Sequence, residues 1–392
     1  MKPLDHIGKF HDELIALRRD IHAHPELGFD EHRTSDLVAS LLEKFGCEVH
    51  RGIGGTGVVG TLRAGNAPHA VGLRADMDAL PIHEANDVPY KSTHEGVMHA
   101  CGHDGHTTML IGAARYLAET RNFSGTVHFI FQPAEEGLGG AEAMLKDGLF
   151  SRFPCDTVFG MHNQPGMPVG HFAIRPGTMM AAGAFFDIHI KGRGSHGARP
   201  HISVDPVLVA SHIVTALQAI VARNVDALDT AVLSVTAMLA GDAYNVIPQT
   251  ADIRGTARTF KRATMTLIEE NMKRTAAGVA SAFGATAEVD FRWLFAPLVN
   301  DPGETAAFAD VAADLVGEVN VNRNRDLIMA SEDFSFMLEE RPGAYINIGN
   351  GDKIGSCPVH NPNYDFNDTI LPLGAAALAG IVEKKLARFS GD

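Results

Sequence analysis

The sequence predicts an α/β fold in which a mixed sheet covered by helices is interrupted by an inserted ferredoxin-like α+β module. Three observations carry this prediction. Helix and strand signals alternate through residues 1–182 and again through 295–392, the pattern of a sheet covered by helices. Between them, residues 183–294 run in the order β-α-β-β-α-β, the order of a ferredoxin-like unit. The edges of that stretch, near Gly183 and Pro297, are turn-rich. The chain has 392 residues, enough for about two or three domains and for a sizeable core.

Taken in order, helical spacing marks Phe10–Asp20 and Arg33–Phe45, and strand character marks Thr56–Arg63 and Ala70–Asp76. Asp104–Glu119 gathers small and apolar residues on one helical face. Thr126–Gln132 is a predicted strand, Leu138–Lys146 a helix, and Thr157–Met161 an apolar strand that stops at His162. Inside the module, Ala184–Lys191 alternates like a half-exposed strand. Pro206–Ala222 reads as a long apolar helix, Ala231–Ala240 and Asp252–Phe260 as strands, Ala263–Phe283 as a helix and Ala285–Phe291 as a strand. Helices near Glu304–Val316 and Leu371–Leu386, with a strand at Ala344–Ile348, return to the first pattern.

Composition excludes several functions. With 33 Lys plus Arg against 47 Asp plus Glu, the net charge is −14, the wrong sign for a nucleic-acid or anionic-membrane partner. A chain that is 45% hydrophobic and 20% charged is globular rather than disordered. Its four cysteines share no CxxC spacing, so reduced thiols and a cytoplasmic location are expected. The opening MKPLDHIGKFHDEL lacks the apolar stretch of a signal peptide, and no run of 18 apolar residues suggests a membrane span. One GxGxxG, at Gly52, Gly54 and Gly57, leads into the strand-like VVGTLRA; a dinucleotide site would need a helix there, so this is a turn.

Chemistry concentrates elsewhere. MHACGHDGH (98–106) places His99, Cys101, His103 and His106 within nine residues. Thiolate and imidazole are ligands for Zn²⁺-like ions, and Cys101 and His103, two apart, point the same way on an extended chain. A polar loop that caps a helix fits the same residues equally well. Three further strand ends carry ligand-type residues: Asp76 and Asp78, Glu135 and Glu136, and His162. Open α/β sheets build their sites beyond the carboxyl ends of strands, so four segments are expected to offer these side chains to one place.

The stretches LRRDIHAHPELGFDE (17–31), LRADMDALP (73–81), MHACGHDGHTTMLIGAA (98–114), FIFQPAEEG (129–137), GMHNQPGMPVG (160–170), GSHGARPH (194–201) and VHNPNYDFND (359–368) resemble the co-catalytic metallopeptidase and amidohydrolase family that includes aminoacylase and glutamate carboxypeptidase. Within it, the resemblance is to the branch of hippurate hydrolases, N-acyl-amino-acid amidohydrolases and auxin-conjugate hydrolases. It spans nearly the whole chain.

The resemblance implies a two-metal site at the strand ends. Cys101 would bridge the metals, His103 and His162 would each bind one, and Glu136 and His360 would complete the ligands. Glu135 would be the general acid/base, and Asp76 and Asp78 would support the ligands from behind. His22, His24, His99 and His106 would be structural or supporting, while Cys47, Cys155 and Cys357 are core-packing residues. The inserted module would be a lid and dimerisation domain. Its His196 would stabilise the oxyanion in the partner subunit, and its Asn245 and Arg258 would contact substrate, the Arg through a carboxylate. Gly349 would offer backbone amides to the same carboxylate. The ions would be Zn, Mn, Co or Ni. A homodimer, or a dimer of dimers, would hydrolyse the amide of small-molecule N-acyl-amino acids (hippurate-like, N-acetyl- or aryl-acyl-) through a hydroxide bridging the metals. A dipeptidase or small carboxypeptidase of the same architecture is the alternative. A scaffold protein and a Cys101 nucleophile are further rivals; an available Glu135 speaks against the first, and sensitivity to a chelator would speak against the second.

Overall fold

A computed structural model describes residues 2–353 and 355–387. Its described residues form two compact units, one drawn from Met1–Met179, Val299–Asp326 and Asp333–Asp392, the other from Met180–Leu298 and Leu327–Glu332.

The first unit contains β1 (Glu48–Ile53), β2 (Gly57–Ala64), β3 (Ala70–Asp76), β4 (Gly125–Gln132), β5 (Thr157–Pro165) and β6 (Phe172–Ala173). The strands Val321–Asn322 and Gly343–Gly351 join them after the insertion. Among the described residues the sheet has eight strands in the order β1, β2, β4, β3, β5, Gly343–Gly351, β6, Val321–Asn322. Parallel pairs at the centre, antiparallel pairs flanking them and a parallel pair of β6 with Val321–Asn322 at one edge make it mixed. Every residue of β3 is buried, as expected of a central strand covered on both faces.

The register decides where chemistry can sit. β3 runs parallel to β4, with Asp76 opposite Gln132, and parallel to β5, with Arg74 opposite Gly160. The carboxyl ends of all three therefore emerge on one edge. Helices α1 (His11–Ala23), α2 (His32–Lys44) and α3 (His103–Thr120) pack against this sheet through one continuous apolar core. Residue Gly112 of α3 faces Ala375 of the helix Leu371–Lys385; a Cβ there would lie 3.0 Å from the Ala375 Cβ. The missing side chain lets the two helices approach closely.

The second unit contains β7 (Ala182–Lys191), α4 (Pro206–Ala219), β8 (Ala231–Leu239), β9 (Thr250–Thr259), α5 (Arg262–Ala282) and β10 (Thr286–Phe295). Its antiparallel sheet runs β8, β9, β7, β10, the β-α-β-β-α-β order expected from the sequence. Phe186, Ile188 and Ile253 of the sheet bury against Ile213 and Leu217 of α4 and Ile268 and Met272 of α5. Together with the turn Ile220–Asn224, α4 is long and apolar enough to cross a membrane by length and composition, at mean hydropathy 1.5. Yet its Val209, Ala210, Ile213 and Leu217 form one buried stripe, which is how a helix packs on a sheet.

Some element limits differ from expectation. The predicted helix Leu138–Lys146 begins at Gly140, because Gly139 is left-handed at φ 81° and ends the preceding turn. Strand β1 gave no strand signal; EVHRGI is mostly polar and half or more exposed because β1 is an edge strand. The glycines at 52, 54 and 57 fall at the turn joining β1 to β2.

Candidate metal centre

Four segments of the first unit bring their side chains together. The loop before α3 supplies Cys101 and leads into His103, the first residue of the helix. β4 leads into Glu135 and Glu136, β5 carries His162, and the segment after Gly343–Gly351 returns His360. Of the close groups of ligand atoms that result, two share Cys101: Cys101 with His103 and His162, and Cys101 with Glu136 and His360. Within each group all ligand atoms lie within 4.8 Å of one another. Cys101 belongs to both, the place a bridging ligand must take. Its Sγ is 3.4 Å from His162 Nε2, and Glu136 Oε1 is 3.2 Å from His360 Nε2.

The neighbours orient the rings. His162 Nδ1 donates to the Asn163 carbonyl at 2.6 Å, leaving Nε2 toward Cys101. His103 Nδ1 lies 2.9 Å from the Asp78 carbonyl and 3.2 Å from its carboxylate. Its Nε2, pointing into the cluster, is buried without a hydrogen-bond partner among the described residues, and buried Glu136 Oε1 meets the His360 ring nitrogen at 3.2 Å without the alignment of a hydrogen bond. Leaving a buried polar atom unpaired costs about 1–3 kcal/mol. A divalent cation in each group would satisfy both atoms, so the donor set fits two metal ions. His106 is differently placed: its nitrogens engage Asp76 Oδ1 at 2.7 Å and Asn163 Oδ1 at 2.8 Å, which spends both on support.

The electrostatics push the ligands in opposite directions. Burial opposes charge on His103, yet Asp76 and Cys101 hold its pKa well above the ordinary value. Burial, then the His106 ring, push His162 well below it. Burial and Glu136 raise the Cys101 thiol. Contacts with Cys101 and Glu136 push His360 up to about 10. Metal ions compete directly with such protons, because ligating thiolate and imidazole must give theirs up.

Glu135 is 6% exposed, with Oε2 4.0 Å from His103 Nε2. The turn that presents it is strained: Ala134 sits at φ 53°, outside the range that a non-glycine residue prefers. The buried carboxylate of Glu31 holds that turn by accepting the Ala134 N–H at 2.8 Å, and it also accepts the Thr56 hydroxyl. Asp78 Oδ2 accepts the Glu136 N–H at 3.0 Å. Asp78 therefore ties one histidine ligand to the carboxylate pair. Asp76 accepts from Arg74 at 2.6 Å, and Arg74 also reaches Gln132 and Asp333. Glu31, Arg74 and Asp333 went unnoticed in the sequence as site residues. Glu31 stands within the matched stretch 17–31 and Arg74 within 73–81, the only signal that could have found them.

The remaining expected residues lie apart from this cluster or serve differently. In the second unit, Ser195–His196 pairs with Val246–Ile247, and the Gly197 N–H donates to the Asn245 carbonyl at 2.7 Å. His196 and Asn245 thus lie on neighbouring exposed segments. Arg258 on β9 donates to Thr256 Oγ1 at 2.5 Å, and burial lowers its pKa. No carboxylate among the described residues pairs with it. Gly349 corrects an expectation. Its N–H already donates to the His171 carbonyl at 2.9 Å, and a Cβ would meet the Pro168 carbonyl at 1.9 Å. That glycine serves a close backbone approach, and its amide is not on offer to a substrate.

Residues 72–384 match Peptidase family M20/M25/M40. The hippurate hydrolase of Campylobacter jejuni is 46% identical over 375 residues, covering 95% of this chain and 97% of that one. Thermostable carboxypeptidase 2 of Saccharolobus solfataricus is 38% identical over 380 residues, covering 95% of both chains. A crystal structure from Bacillus subtilis, described as a dinuclear metal binding peptidase of the M20 family, superposes with a TM-score of 0.83 at 34% identity, covering 97% of this chain and 100% of that one.

Proposed function

The chain belongs to Peptidase family M20/M25/M40, and on that premise we propose that it removes the acyl group from N-acyl-amino acids of the hippurate type. It is a metallo-amidohydrolase and takes two divalent metal ions. The observation that carries the reading is the pair of ligand groups sharing Cys101, with the Glu135 carboxylate facing them.

Cys101, His103 and His162 would hold one cation, and Cys101, Glu136 and His360 the other. When bound, the cations polarise the scissile carbonyl and acidify water. Glu135 takes the proton from that water and delivers it to the leaving nitrogen. Glu136, its neighbour on the same turn, reaches the His360 ring instead and stays a ligand. Asp78 keeps His103 and Glu136 in place, and Asp76 does the same for His106.

The second unit would supply substrate contacts. Arg258, half-buried and without a carboxylate partner, is suited to the free carboxylate of the amino acid. Asn245 would orient the amide, and His196 would stabilise the oxyanion, delivered from a partner subunit. Exposed Val232, Met238 and Leu239 on edge strand β8 and Val207 and Leu208 on α4 support a homodimer formed through this unit. Four unpaired cysteines support a reducing, cytoplasmic setting.

A carboxypeptidase or dipeptidase reading is favoured by the archaeal relative. Hydrolysis of N-benzoyl-, N-acetyl- and indole-acetyl-amino acids, measured beside dipeptides, separates the two. The panel is run on protein reconstituted with Zn, Mn, Co or Ni. Faster cleavage of acyl-amino acids is expected with at least one metal, and a chelator should abolish it. Preference for dipeptides under every metal would overturn the proposed substrate class.

A further inference from the structure

We propose that Arg18 is a positioning residue for the metal centre: it clamps the segment carrying His360 and so sets the affinity of the cation assigned to Cys101, Glu136 and His360. This rests on the ligand assignment above.

Arg18 lies on α1 with none of its surface exposed. Its Nη2 donates to Asp365 Oδ1 at 2.6 Å and to the Phe366 carbonyl at 2.5 Å. Its Nε is 2.8 Å from Asp368 Oδ1 and 3.7 Å from Asp104 Oδ2. The guanidinium lies 4.8 Å from the centre of the Tyr90 ring, whose hydroxyl donates to Asp365 Oδ2 at 2.7 Å. A fully buried cation with carboxylates on several sides is costly to assemble. Removing it would take from the part-exposed Asp365 and the largely buried Asp368 the cation they share, although Arg19 still reaches Asp368 at 2.8 Å.

What the clamp holds explains its consequence. Asp365 to Asp368 follow His360 within one short, irregular segment. His360 itself sits at φ 62°, its N–H donating to the Ala100 carbonyl at 2.7 Å. A strained residue keeps such a conformation only when its surroundings over-determine it. The histidine ligands of the other cation need no such help. His103 is on α3 and His162 on β5, both fixed by regular backbone pairing. Asp104, beside His103, is still held by His22 Nδ1 at 2.8 Å if Arg18 is lost. Tyr364 of the clamped segment also accepts from Asn163 Nδ2 at 2.7 Å beside His162, but His162 keeps its strand pairing, so the effect of Arg18 falls mainly on the cation that His360 would hold.

The test counts and weighs metal ions. Metal-free protein is titrated with Zn²⁺ by calorimetry, with elemental analysis for stoichiometry. Wild type should bind two ions per chain. Arg18→Met should bind one as tightly as wild type and the second about 10–100-fold more weakly, the scale on which outlying partners of ligands act. Arg18→Lys, which restores the charge without the fork, should fall between. A purely structural role would lower the melting temperature and leave both affinities unchanged, and that result overturns the proposal. If Arg18→Met does not fold, Asp365→Asn, at the outer end of the clamp, must weaken the second ion in the same direction; unchanged affinities there overturn it equally. His360→Ala separates the two layers of argument. Two tight ions in that variant would refute the ligand assignment itself, whereas one ion there and two of wild-type affinity in Arg18→Met would refute the clamp alone.

Discussion

The loop Met98–His106 and the turn Gly194–His201 are both rich in histidine and glycine, yet they fold under opposite rules. In the first, His99, Cys101, His103 and His106 are 1, 7, 1 and 2% exposed, and the strands around them are the most buried of the molecule. In the second, His196 is exposed, and its regular structure is a two-residue pairing with Val246–Ile247. The difference reflects what each must do. Ligands for a metal ion have to stand ready within a few tenths of an ångström, and only a packed interior enforces that. A group that meets a substrate can ride on a surface turn, since the encounter completes its environment. We propose that the first region is preset for metal and that the second meets the substrate, and three variants test this contrast.

The largest effect is expected at Glu135. It belongs to the buried region but is assigned chemistry rather than ligation. Glu135→Ala should keep two metal ions by elemental analysis while kcat falls about 10²–10⁴-fold, the usual weight of general acid–base catalysis. Near-normal turnover in that variant, or loss of an ion with it, would mean that Glu135 acts as a ligand like its neighbour.

How far the sequence alone foresees this contrast depends on the range of the interaction. Cys101, His103, Glu136, His162 and His360 could be read from their chemistry at strand ends and from the matched stretches, and the structure gathers them. The β-α-β-β-α-β module was legible from local periodicity because each of its elements buries one face of its own. The supports were not. Arg18 meets Asp365 across 347 residues of chain, and Glu31 meets Ala134 across 103. Nothing in the local pattern of an arginine on an amphipathic helix announces which carboxylate it will find. Strand β1 was missed because an edge strand with polar residues satisfies no periodicity rule. Gly349 was misjudged because an amide's partner is decided by a neighbouring loop, here His171.

The second effect lies in the exposed turn. His196→Ala should leave metal content untouched and lower kcat about 10²–10³-fold, the cost typical of one lost oxyanion donor. Mixing that variant with Glu135→Ala should restore part of the activity if the histidine serves the partner subunit. After subunit exchange is verified, an inactive mixture would place His196 in its own subunit's site. A loss of metal in His196→Ala would erase the distinction between the two regions altogether.

The smallest effect concerns what keeps the buried region preset. His22 is wholly buried, between Asp104 at 2.8 Å and Glu84 at 3.2 Å. Burial works against its charge, but the hydrogen bonds to Asp104 and then Glu84 prevail and push its pKa up to about 9 from 6.5. A histidine whose folded pKa exceeds its unfolded one binds its proton more tightly in the folded protein. Its contribution is therefore complete below pH 6.5 and fades as pH rises through 9. Linkage sets the loss between pH 6.5 and 8.5 at about 2 kcal/mol of unfolding free energy. Denaturant melts of metal-free wild type and of His22→Gln across that interval isolate this share, since every other titrating group is common to both. The wild type should lose stability faster than the variant as pH rises. Parallel curves would mean that His22 is neutral in the fold and that packing, rather than charge, holds the start of α3.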